Sequence, residues 1–134
     1  MPMSLIKKFL LILSATLFAG SVLAESYSLR VPPGKRMLVA SLAMYDTDTC
    51  TFGAVPVGKL VTPPKHGRVE ILQERRVIDG GQCGQIQGWA RNVYFTPAPG
   101  FRGADFLRVD FEYNKWTDAP GITAITRNVT LAVQ

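Results

Sequence analysis

The sequence predicts an all-β chain, an antiparallel β-sandwich of about seven strands tied by one disulfide. Three observations predict it. Beyond the first 24 residues no helix signature of useful length appears. Apolar residues instead alternate in short runs separated by Gly and Pro clusters, the sequence pattern of half-buried strands joined by turns. The chain also carries an even pair of cysteines, Cys50 and Cys83, behind an N-terminus of export type, and such pairs in exported chains form disulfides.

The elements follow in order. Tyr27 to Val31 is a short run closed by Pro32-Pro33-Gly34. Met37 to Tyr45 is longer and mostly apolar, as expected of a strand covered on both faces. Val55 to Val61 is broken by Pro56 and Gly58, which suits an edge strand. Pro63-Pro64-Lys65-His66-Gly67 is a turn. Arg68 to Ile78 alternates at first, then becomes charged, and Asp79-Gly80-Gly81 is a turn signal. Asn92 to Phe95, Ala104 to Tyr113 and Ile122 to Val133 complete the set. In the strand after Gly103, Leu107, Val109, Phe111 and Tyr113 are expected inward, with Arg108, Asp110 and Glu112 in water. In the last strand Ile125, Val129, Leu131 and Val133 are expected inward, with Thr126, Asn128 and Thr130 outward.

The first 24 residues have the layout of a secretory signal peptide. Lys7 and Lys8 form the positive region, Phe9 to Phe18 the apolar region, and Val22-Leu23-Ala24 a small-residue cleavage site. A retained anchor is the rival reading. The apolar stretch is interrupted by Ser14, Thr16, Gly20 and Ser21 and falls short of a span of about 20 residues. Cleavage after Ala24 leaves residues 25–134, 110 residues in all, a length that fits one domain. Losing Lys7 and Lys8 takes the formal charge from +5 to +3. That is far from the clustered charge of a nucleic-acid binder. A Cys50–Cys83 bridge would close a loop of 33 residues, worth roughly 3–4 kcal/mol in the chain-entropy model. A metal site would need more ligands, and His66 is the only imidazole. Redox pairs usually lie closer in sequence.

The turn His66-Gly67, then Tyr94-Phe95-Thr96-Pro97, then Gly100-Phe101-Arg102-Gly103-Ala104-Asp105-Phe106 and a strand ending Thr130-Leu131-Ala132-Val133 occur in that order. This series resembles the bacterial cadherin-like or immunoglobulin-like repeat of surface and envelope proteins, over about Pro63 to Val133. The resemblance implies an Ig-like (cadherin-like) sandwich spanning residues 25–134. Gly100 and Gly103 would supply positive φ in the bend, and Pro97 and Pro99 would stiffen its approach. Phe101 and Phe106 would cap the end of the core. Asp105 would accept backbone N–H groups and lock the turn, a structural role rather than a catalytic or calcium-binding one.

Sites of chemistry are sparse. Asp46-Thr47-Asp48 could begin a calcium loop, but calcium requires six to eight oxygens, and a polar turn is the simpler reading. His66 has no Ser, Cys or Asp pattern that would make it a general base. Ser41 lies in an apolar strand outside any nucleophile-elbow pattern. Asn128-Val129-Thr130 matches a glycosylation acceptor that has no meaning in a bacterial chain. Tyr45, Phe52, Trp89 and Trp116 fall at or near predicted loops, with Arg75, Arg76, Arg91 and Lys115 close in sequence. Aromatic residues beside arginine are typical interface anchors; covering the ends of a small core is the alternative for Trp89 and Trp116.

The sequence therefore points to a non-enzymatic, periplasmic or secreted envelope protein without a cofactor. It would contact a protein or an envelope polymer through Phe52, Trp89, Trp116, Arg75, Arg76 and Arg91. Nucleic acid is not expected as a partner, nor a membrane span after cleavage. A secreted inhibitor or virulence-type factor that presents the Cys50–Cys83 region to a target enzyme is a second reading. A hydrolase is disfavoured, because no triad or metal cluster is present.

Overall fold

The computed structural model describes residues 23–114 and 123–134. The strands are β1 (Leu23–Val31), β2 (Met37–Leu42), β3 (Tyr45–Asp46), β4 (Thr51–Phe52), β5 (Val57–Thr62), β6 (Gly67–Asp79), β7 (Gln85–Pro97), β8 (Gly103–Tyr113) and β9 (Thr123–Val133). Seven of these have six or more residues; β3 and β4 have two each. A 3-10 turn, Gly81–Cys83, joins β6 to β7.

One sheet has the order β1-β9-β8-β5 and the other β2-β7-β6, and β3–β4 is a separate two-stranded ribbon. The two larger sheets pack as a β-sandwich, and the Cys50–Cys83 disulfide joins the turn between β3 and β4 to the turn between β6 and β7. This is the immunoglobulin-type division of strands with the first strand placed beside the last. β1 pairs with β9 in parallel, from Leu23↔Ile125 to Val31↔Val133, so the sandwich departs from the all-antiparallel expectation at one edge. β1 begins at Leu23, and Ala24, at the expected cleavage point, pairs with Thr126.

The core lies between the sheets. Val31, Val39, Ala40, Val93, Phe95, Leu107, Val109, Phe111, Val129, Leu131 and Val133 form one buried cluster. Full burial of each large side chain contributes roughly 1.5–3 kcal/mol. Leu107, Val109 and Phe111 face inward as their alternation predicts, and so do Val129, Leu131 and Val133. Tyr113 and Ile125 are only half-buried, being at the end of the β8–β9 ladder. Thr126, expected in water, is buried on the outer face, where its hydroxyl donates to Asp110 Oδ1 at 2.7 Å. Phe106, expected to cap the core, is 40% exposed. It precedes inward-facing Leu107, and alternation turns it to the outer face.

Two strands depart from their expected limits. The predicted run from Met37 to Tyr45 divides, because β2 stops at Leu42 and the chain turns off as β3. β6 matches the expected Arg68–Ile78 run to within one residue at each end, whereas β7 runs far beyond Asn92–Phe95, and their cross-strand partners extend from Gly67↔Pro97 to Asp79↔Gln85. β5 is an edge strand, as its Pro and Gly suggest, and its ladder to β8 shifts register between Leu60 and Thr62.

The turns use the expected residues. Gly100 and Gly103 have φ of 77° and 134°, values that favour glycine. Asp105 is 7% exposed. Its Oδ1 accepts the N–H of Lys65 at 2.9 Å and its own neighbour Phe106 at 2.8 Å, and Oδ2 accepts the N–H of His66 at 2.8 Å. One carboxylate thus ties the Pro63–His66 turn to the start of β8.

Candidate binding surface

The β6–β7 hairpin carries the most exposed aromatic residue of the described chain, and its register explains why. Directly opposed residues share a face of the ribbon. On one face the pairs are Val69/Phe95, Ile71/Val93, Gln73/Arg91, Arg75/Trp89, Val77/Gln87 and Asp79/Gln85. The first two pairs belong to the sandwich core or pack against it. At Gly58 of β5 the opposite sheet makes its last close approach. A Cβ there would meet Ile71 Cγ2 at 2.8 Å and Arg91 Cγ at 3.3 Å. Beyond that point the same face continues into solvent as a projecting arm, where Trp89 is 47% and Val77 57% exposed.

The other face of the arm carries Glu74/Ala90, Arg76/Gly88 and Ile78/Ile86. It is covered by the β3–β4 ribbon. The Phe52 ring lies on Gly88 so closely that a Cβ at position 88 would overlap it. Phe52 also packs against Tyr45, with ring centroids 6.0 Å apart. The Cys50–Cys83 disulfide, with Cα atoms 5.5 Å apart, fastens the ribbon to the arm's turn. Gln82 Nε2 donates to the Thr47 carbonyl oxygen at 2.6 Å beside it. The arm is thus clasped on one side and open on the other.

The structure separates the residues singled out in the sequence. Trp89 lies in mid-strand rather than in a loop, opposite Arg75, whose Cζ is 5.6 Å from the indole centroid. These two are together on the open face. Arg76 points to the clasped face opposite Gly88. Phe52 is half-buried within the clasp. Arg91 is half-buried, and its Nε donates to the Pro56 carbonyl oxygen at 2.8 Å, stapling β7 to the start of β5. Trp116 and Lys115 lie outside the described residues, as does the signal segment up to residue 22.

The groups weighed for catalysis or metal binding have structural partners. Asp46 Oδ1 accepts the N–H of Asp48 at 2.7 Å and of Thr49 at 3.2 Å, an aspartate turn. His66 stacks on Phe101, with centroids 4.2 Å apart and planes 9° from parallel. Ser41 Oγ donates to Asn92 Oδ1 at 2.6 Å, and Asn92 Nδ2 donates to Glu74 Oε1 at 3.1 Å. Glu74 also accepts the Tyr94 hydroxyl. Hydrogen bonding to its charged form, first from Tyr94 and then from Asn92, lowers the Glu74 pKa, and the same Glu74 contact raises that of Tyr94. Among the described residues no group of three or more His, Cys, Asp or Glu side chains is placed to hold a metal ion. No described helix is long and apolar enough to cross a membrane.

The sequence reading missed Val77, Gln73 and Gln87, which share the open face with Trp89. The signal that could have found them is register: once the turn at residues 80–84 is centred, counting outward in twos pairs position 77 with 87 and 75 with 89.

No protein-family model matches the chain, and no curated protein matches it. Among solved structures it is similar to one titled "Solution Structure of Amebosin", at 10% identity and a TM-score of 0.37, covering 84% of this chain and 99% of that one. A likeness so distant carries no argument about this chain.

Proposed function

We propose that this chain is an exported, non-enzymatic envelope protein, a single Ig-like, cadherin-like module that binds another macromolecule through the open face of the β6–β7 arm. The observation that carries the reading is Trp89, an indole left half in solvent beside Arg75 on a ribbon held rigid from behind. Large aromatic side chains are usually buried, and an exposed one paired with arginine is the common anchor of an interface. Residues that could have suggested catalysis, Ser41, His66 and Asp105, are engaged in fold-supporting contacts. A disulfide at the arm's turn is compatible with a periplasmic or secreted location.

Site-specific photocrosslinking tests the reading. A crosslinking residue in place of Gln87, on the open face, should trap a macromolecular adduct in cells that make the protein. The same residue in place of Glu112, on the outer face of the other sheet, should not. Equal adducts at both positions, or none at Gln87, would remove the arm as the binding surface. The placement of the disulfide at the tip of a projecting arm also suits the second reading, a secreted inhibitor. A hydrolytic enzyme as the trapped species would favour it.

A further inference from the structure

We infer that the ligand of the open arm face is an acidic polysaccharide, with a sugar ring stacked on Trp89 and its carboxylate paired with Arg75; this rests on the binding role proposed above. The face offers little apolar surface. Beyond the sandwich it presents Trp89 and Val77, bounded by Gln73, Gln85 and Gln87. A stable protein interface covers about 800 Å² on each partner around an apolar centre depleted in polar groups. Two apolar side chains surrounded by amides fall well short of that. They match a pyranose ring instead, which has one apolar C–H face and a rim of hydroxyls. The indole offers a flat surface of the right size. Each glutamine amide can both donate to and accept from a hydroxyl.

Charge narrows the class. Among the described residues Arg75 takes part in no ion pair, a property it shares with other cations such as Arg68 and Arg102, but it alone of these stands beside Trp89 on the open face. The other arginine of the face, Arg91, is committed to Pro56. The single carboxylate of the face, Asp79, stands at its far end and accepts the N–H of Gly81 at 3.1 Å. An unneutralised guanidinium beside a stacking platform suits a sugar that carries a carboxylate, which it can hold with two parallel hydrogen bonds. The clasp on the opposite face keeps the ribbon in place before the ligand arrives, which lowers the ordering cost of binding.

Affinity electrophoresis in native gels tests the inference, with polygalacturonate as the acidic probe and dextran as the neutral one. The basic chain will be attracted weakly to any polyanion, so the controls are matched in charge. The wild-type chain should be retarded by polygalacturonate and not by dextran. Trp89→Ala, which leaves the charge unchanged, and Arg75→Gln should each weaken retardation about tenfold or more. Arg76→Gln, the same charge loss on the clasped face, should stay within about twofold of wild type. Trp89→Phe, which keeps a flat ring, should bind between wild type and Trp89→Ala, and serves if Trp89→Ala fails to fold. Equal weakening by Arg75→Gln and Arg76→Gln with no effect at Trp89 would reduce the interaction to general polyanion attraction and overturn the inference. Absence of retardation by polygalacturonate, or equal retardation by dextran, would overturn it too. A protein adduct from position 87 in that case would leave the binding arm standing and replace only its ligand.

Discussion

From Gly67 to Leu72, strand β6 sets Val69 and Ile71 against the core beside Phe95 and Val93; from Gln73 to Asp79 the same face of the same strand meets water. Backbone pairing does not distinguish the two halves, since the ladder to β7 is unbroken along all its length. What differs is the neighbour in front. The body half has the four-stranded sheet opposite it, and the arm half has passed its end near Gly58. Strand and loop are thus the wrong categories in which to look for this molecule's exposed surface. A strand can carry the interface where its sheet outruns its partner.

The difference can be broken most severely from the body. Phe95→Ala should destabilise the domain by about 3–5 kcal/mol, the cost of truncating a fully buried aromatic. A urea midpoint that barely moved would mean that the described core is not the cooperative one. Opening the clasp should be next in size. The oxidised, denatured protein should titrate no free thiol, and a Cys50→Ser/Cys83→Ser variant should lose about 3–4 kcal/mol if arm and body unfold together. Hydrogen exchange sharpens this. Faster exchange confined to Thr51–Phe52 and to the arm halves of β6 and β7 would show that the arm melts by itself. Asp105→Ala should cost about 2–3 kcal/mol, since three backbone N–H groups lose a buried carboxylate partner. Calorimetry showing no shift in Tm would contradict the turn-locking role.

The smallest effect concerns the polar chain on the clasped side. The Tyr94 pKa is raised, so its stabilising contribution is complete below the unfolded value near 10 and fades as pH rises through the folded one. The Glu74 pKa is lowered, so its contribution is complete above the unfolded carboxylate value and fades as pH falls through the folded one. Tyr94→Phe should therefore flatten part of the alkaline fall in urea midpoint above about pH 10. Tyr27, raised chiefly by burial, keeps some of that fall in place. An unchanged alkaline limb in the variant would mean that the Tyr94–Glu74 contact carries no pH dependence.

The parts of the fold legible in the sequence are those where one face is strongly apolar. β8 and β9 alternate Leu107, Val109, Phe111 and Val129, Leu131, Val133 against polar neighbours, so a slip of one residue would bury charge. The Gly100–Asp105 bend is legible because few residue types tolerate its backbone. Of the arm, the β6 half falls within the expected Arg68–Ile78 run, and the β7 half before Asn92 falls within no expected strand. Gln85-Ile86-Gln87-Gly88 alternates in burial, but Ile86 is its one large apolar side chain, since one face is open and the other rests on a ribbon brought from residues 45–52. Trp89, expected at or near a loop, is instead paired on the ladder with Arg75. The parallel partnership of β1 and β9 was equally hidden, because alternation tells which side of a strand is wet and not which strand lies next to it.

That partnership has a mechanical consequence. β1 and β9 lie side by side over nine paired residues and point the same way, so the start of β1 and the end of β9 are at opposite ends of the pair. Tension applied between those two points pulls the strands lengthwise past each other. The hydrogen bonds linking them are then loaded in shear, many at once, rather than peeled apart singly as at the mouth of a hairpin. The arm hangs off the other sheet, outside this load path. A ligand held at Trp89 would therefore stay on an undeformed platform while the terminal strands carried the strain.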